Sequence, residues 1–191
     1  MQTQRLIHPH LRQLLADAEH VRAEAERFRR TLSDGQVTWH PEPGAWSVAD
    51  CFEHLRKVGK AYYPRISEAL TRTRPAEDAA FRPSLVARSF FYFSGPEVRF
   101  KLRAPKAIRP KAEVDHAGAT ALDRFLQQQD ELLRLIREAD GTDLNTGTFA
   151  SPLAGIVKFT VGEGLTAMVV HQQRHLGQAQ RLTEREDFPR A

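Results

Sequence analysis

Four stretches of this chain place apolar residues every three or four positions, and no stretch of useful length alternates them at every second position. Between Pro9 and Leu32 the residues Leu11, Leu14, Ala18, Val21, Ala25, Phe28 and Leu32 follow that rule, which gathers them on one face of an α-helix. A second stripe starts after Ser47 and runs through Val48, Cys51, Leu55, Val58, Tyr62, Ile66 and Ala69 to the neighbourhood of Thr73. A third lies between Ala119 and Glu138, with Leu122, Phe125, Leu132 and Ile136 inward and a polar QQQDE run between them. The fourth begins at Thr160 and carries Leu165, Met168, Gln172, Leu176 and Ala179 to about Glu184. Each stripe needs an apolar partner, so the expected fold class is all-α, a four-helix bundle in a single domain over residues 1–191.

The punctuation between the stripes agrees. DGQ breaks the first helix, and WHPEPGAW is a connector whose prolines and glycine bar a helix. In SVAD the Ser47 hydroxyl can cap the free amide three residues on while Asp50 reaches back, and TVGE at Thr160 is a second capping box. Pro64 is expected to kink the second helix or end it early, and Asp140 with Gly141 stops the third. Roughly 14 residues join the first two helices, but about 40 separate the second from the third, enough for a long crossover along the bundle. Within that crossover Phe90, Phe91, Tyr92 and Phe93 either cover one end of the bundle or form a subunit contact. Apolar surface on a segment outside the bundle also favours a homodimer.

Composition excludes several classes. The 191 residues are 41% hydrophobic and 27% charged, ordinary for a soluble globular protein. No apolar run approaches the length of a membrane span, and the segment MQTQRLIHPHLRQ lacks the apolar core of a secretory signal. A cytoplasmic protein without a membrane partner is expected. Lone Cys51 has no intrachain disulfide partner and is read as packing. The net charge of +4 is scattered rather than clustered, so a nucleic-acid partner is not expected.

The chemistry sits in AMVVHQQRHLGQAQRL, where His171 and His175 are four residues apart. Residues so spaced share a helix face, and both imidazoles can reach one ion at about 2.0–2.1 Å. Such a pair alone is more often surface decoration than a metal site. His54, three residues beyond Cys51 and four before Val58, faces inward on the second helix and supplies a third nitrogen. With the second and fourth helices antiparallel, His54 lies roughly 10 Å below its helix start and the pair roughly 14–20 Å from the far end of its own. Those depths agree, and three ionisable groups inside a bundle are unfavourable unless they bind something. Imidazoles of ordinary pKa would release an ion below about pH 6. HQQRH is not a zincin motif, because Gln172 stands where the glutamate base belongs. Gln172 and Gln178 are candidate supports for the ligands. His8, His10, His20, His40 and His116 read as surface residues, with His40 near enough to approach the site, and Glu53 as part of a solvated face. Trp39 and Trp46 staple the connector to the bundle, or, in a sharper reading, stack on substrate.

WHPEPGAWSVADCFEHL, KLRAPKAIRPK and HQQRHLGQAQRL together resemble the landmarks of the DinB/YfiT-like superfamily, over nearly the whole chain. The resemblance implies an up-down-down-up bundle and a divalent metal held by His54, His171 and His175. It also implies a choice of chemistries: a metal-dependent hydrolase, a transferase using a low-molecular-weight thiol, or a non-catalytic stress-associated module. Three imidazoles suit zinc and nickel alike, whereas manganese or iron usually takes a carboxylate in the set. A small-molecule substrate is expected.

Overall fold

A computed structural model describes residues 8–76, 80–96, 108–109 and 118–190. Four long helices carry the fold: α1 (Pro9–Thr31), α3 (Val48–Leu70), α5 (Gly118–Glu138) and α6 (Val161–Thr183). Two shorter ones, α2 (Asp34–Thr38) and α4 (Leu85–Ser94), and a two-stranded antiparallel hairpin, β1 (Phe149–Ala150) and β2 (Lys158–Phe159), complete it. The predicted caps are present: Ser47 with Asp50 and Thr160 with Glu163 form reciprocal boxes at the starts of α3 and α6. Just past α5 Gly141 takes φ +79°, a conformation that suits glycine at a helix end.

Two apolar clusters fix the topology. One joins Leu11 and Leu14 of α1, Tyr62 and Ile66 of α3, Leu132 and Ile136 of α5, and Val161 and Leu165 of α6. The other joins Val21 and Phe28, Val48 and Phe52, Leu122 and Phe125, and Leu176 and Leu182. The first therefore gathers the start of α1, the ends of α3 and α5 and the start of α6, and the second gathers the opposite ends. The direction is up, down, down, up. Because α3 and α5 run parallel, the chain between them must return along the whole bundle.

A buried polar layer crosses the bundle. Gln129, fully buried, donates to the Ala18 carbonyl at 3.0 Å and to Gln172 Oε1 at 2.9 Å. Gln172 in turn donates to Gln129 Oε1 at 2.7 Å and to the Tyr63 hydroxyl at 3.1 Å. The amides satisfy one another, which is what lets two glutamines occupy core positions.

Three sequence expectations change. Pro64 neither ends α3 nor shortens it. The proline sits on the exposed side of a continuous helix, where packing of the flanking Tyr62, Tyr63 and Ile66 outweighs one lost backbone bond. DGQ does follow the end of α1, but those residues open α2 under a Ser33–Gln36 capping box. The aromatic run lies on α4, which packs against α6. Phe90 and Phe91 contact the core, whereas Tyr92 and Phe93 are 65% and 51% exposed. Of the landmark KLRAPKAIRPK only Ile108 and Arg109 fall within the described residues, and His116 falls outside them.

Candidate metal centre

Antiparallel α3 and α6 bring His54, His171 and His175 together, with one ring nitrogen from each within 4.8 Å of the others. Ring centroids are 5.1 Å apart for His54 and His171, and 4.6 Å for each of the other two pairs. His54 and His175 are buried, and His171 is half-buried with its Nδ1 shielded from solvent. Among the described residues no aspartate, glutamate or cysteine joins the group.

Neighbouring groups orient the rings. His54 Nδ1 lies 2.9 Å from the Ile108 carbonyl, which only accepts, so Nδ1 carries the proton and Nε2 presents a lone pair. His175 Nδ1 is 3.1 Å from Gln178 Oε1, the same arrangement with a side-chain amide. A ligand histidine whose other nitrogen is held in this way has its tautomer and plane set in advance.

The fit to a cation shows in one contact. His54 Nε2 faces His171 Nε2 at 3.0 Å. With His171 protonated on Nδ1 the two lone pairs point at each other, which is repulsive unless an electrophile lies between them. With His171 protonated on Nε2 the contact becomes a hydrogen bond, and in either tautomer the buried Nδ1 has no partner among the described residues. Two ligands sharing a tetrahedral ion at 2.0–2.1 Å would sit about 3.3 Å apart, close to what is seen. The residues present fit a divalent cation.

Electrostatics points the same way. Burial, then the neighbouring His54 ring and the Arg174 guanidinium, holds the His171 imidazole down at about 3. Burial, followed by His171 and His54, puts His175 well below its ordinary value. Burial also lowers His54, against the Ile108 hydrogen bond and with the help of Lys57. All three rings are thus neutral, the state that binds metal.

Several side chains lie otherwise than the sequence suggested. Trp46, in the connector just before the Ser47 cap, does staple the connector to the bundle as expected, but it does so at the cluster, stacking on His175 at 5.4 Å and 27° and lying 4.9 Å from His54. Its place one residue ahead of the cap of the helix bearing His54 was the available signal. Trp39 instead meets Phe188 at 5.5 Å. Glu53 is not on a solvated face: it is buried and paired through both oxygens with Arg56 at 2.7 Å. Gln172 belongs to the core amide layer, so Gln178 alone of the two supports a ligand. His40 joins no ligand group; its Nδ1 is 2.8 Å from the Ala45 carbonyl and 3.5 Å from Asp50. His20 is exposed. His8 and His10, expected at the surface, anchor the start of α1. His8 caps it and donates its backbone N–H to Asp140 at 3.0 Å. His10 Nε2 lies 2.8 Å from the Thr166 hydroxyl, and the ring stacks on Phe81 at 4.5 Å.

An up-down-down-up bundle with three clustered imidazoles, two buried and one half-buried, on its second and fourth long helices defines a class of helical proteins with a group that could hold a metal. The chain belongs to the DinB superfamily, which residues 17–179 match. Its fold is similar to that of YfiT from Bacillus subtilis, described as a probable metal-dependent hydrolase with an unusual four-helix bundle topology. That likeness has a TM-score of 0.60 at 16% sequence identity and covers 99% of this chain and 94% of YfiT. No curated protein sequence matches the chain.

Proposed function

We propose that His54, His171 and His175 hold one divalent ion, zinc or nickel, and that the protein is a metal-dependent enzyme acting on a small molecule, most simply a hydrolase. The observation that carries this reading is the convergence of three ring nitrogens within 4.8 Å with no further histidine, cysteine, aspartate or glutamate in the group among the described residues. Structural zinc sites are usually closed by four protein ligands, whereas three leave room for water and substrate. When bound, such an ion supplies Lewis acidity, lowering the pKa of water or of a thiol that reaches it. The chain's own part is orientation: Ile108 and Gln178 fix two imidazoles, and Trp46 shields one flank of the cluster.

A second reading, transfer of a low-molecular-weight thiol, gains from the lack of a carboxylate in the cluster among the described residues, since a thiol bound to the ion as thiolate is activated by the metal and needs no carboxylate base. Metal binding without turnover would instead mark a non-catalytic, stress-associated module. We further place the protein in the cytoplasm as a homodimer, the exposed apolar side of α4 supporting the dimer.

Metal analysis of protein purified without a histidine tag or nickel column tests the site, together with calorimetric titration. Zinc or nickel should bind at one per chain, and His54→Ala, His171→Ala or His175→Ala should each weaken binding by at least about 100-fold. Wild-type affinity in the His54→Ala protein would remove the three-histidine site.

A further inference from the structure

Three imidazoles add no charge to a divalent ion, so what surrounds them decides the sign of the site. Their hydrogen-bond partners are neutral: a backbone carbonyl for His54 and a side-chain amide for His175. Metal-binding histidines often back onto carboxylates, but here the nearest acids along α3 are engaged elsewhere. Asp50 is committed to the Ser47 backbone N–H at 3.0 Å and Glu53 to Arg56. Among the described residues, the charged side chains that act on the three rings from outside the cluster are Lys57 and Arg174, both positive.

Lys57 is the better placed of the two to meet a ligand. It lies one turn beyond His54 on α3, where residues three apart are neighbours. It is half-buried, and its Nζ donates to the Arg109 carbonyl at 2.6 Å. His54 and Lys57 therefore grip two successive carbonyls of one crossover segment. An ammonium has three N–H donors, and a single carbonyl takes one of them. Arg174 is tied to the Phe93 and Gly95 carbonyls at 3.2 Å each.

Resting on the reading of the three histidines as a metal site, we propose that the site selects an anionic substrate, one bearing a carboxylate or phosphate, and that Lys57 binds its charged group. A dication held by His54 and the Lys57 ammonium, on a side chain one turn further along α3, repel each other, and an anion that joins them relieves the repulsion. A carboxylate or phosphate does so, and a neutral analogue does not.

The test titrates acetate, inorganic phosphate and acetamide into the protein carrying Trp39→Phe, zinc-loaded and metal-free, following the fluorescence of the remaining Trp46 and calorimetric heat. Zinc affinity is measured separately. The expected result is at least about tenfold tighter binding of either anion than of acetamide to the loaded protein. Lys57→Met should weaken anion binding about tenfold while leaving zinc affinity unchanged or higher, since a neighbouring positive charge has gone. A merely structural lysine would not give these opposite signs. Lys57→Gln, which can still donate to the Arg109 carbonyl, should behave like Lys57→Met and guards against a folding defect, read by circular dichroism. Acetamide binding as tightly as the anions, or wild-type anion affinity in both variants, overturns the inference. A wild-type protein that takes up no zinc overturns the metal site instead; the metal-free arm then decides, where phosphate must bind saturably in wild type and not in Lys57→Met.

Discussion

His171 shows how burial changes a residue's chemistry. An imidazole that titrates near 6.5 in the unfolded chain is held at about 3 in the folded one, chiefly by desolvation. Between those values the unfolded chain takes up a proton that the native protein refuses, so stability is intact above about pH 6.5 and falls as pH drops toward 3. His54 and His175, shifted in the same direction, steepen the fall. The metal-free protein should accordingly lose thermal stability over that window, and His171→Gln should show a shallower loss; a profile flat from pH 6.5 to 4 would contradict this. Ion binding should also persist to lower pH than the value near 6 expected for ordinary imidazoles, because protons compete poorly for these rings. Gln178→Leu, which removes the support behind His175, should cost about 10–100-fold in metal affinity by calorimetry. The clustering of the three histidines was legible in the sequence, since helical phase places the pair and depth along α3 places His54. Trp46, Ile108 and Lys57 were not: their relation to the cluster depends on the paths of a connector and a crossover, which no periodicity encodes.

At the scale of elements, caps and stripes located the four long helices to within about three residues at each end, because each signal is local. What escaped was either too short to repeat or masked by its own composition. The five residues of α2 hold barely one turn, and the continuous FFYF run on α4 hides which face is inward. Gln129 escaped for another reason: a polar residue reads as exposed until its partner on a different helix is known. The layer it forms with Gln172 should be sensitive to halving. Gln172→Leu leaves Gln129 without a side-chain partner and should cost about 1–3 kcal/mol in urea unfolding, far more than an exposed Gln→Leu change. Pro64 predicts the opposite sign. Since α3 is already continuous through an exposed proline, Pro64→Ala should restore a backbone bond and raise stability by up to about 3 kcal/mol. An unchanged unfolding midpoint would mean that the helix is bent there to suit its neighbours.

At the scale of the molecule, α4 leaves an apolar side uncovered. Leu85 and Val86 are 77% and 58% exposed at its start, and Tyr92 and Phe93 are exposed at its end. A homodimer that buries this face should sediment at twice the 21.7 kDa of one chain, and Tyr92→Glu should return it to one; a wild-type monomer at micromolar concentration would leave the face unexplained. The topology carries a different consequence. His54 and His171 are 117 residues apart in the chain, and both helix-borne parts of the cluster meet only when the last long helix docks. During synthesis, α1, α3 and α5 are all made before the first histidine of that helix exists, so a chain cut short anywhere before residue 171 keeps one ring of three. Possession of the complete cluster thus certifies that the chain extends past residue 175, and an ion held there would distinguish such chains from shorter fragments.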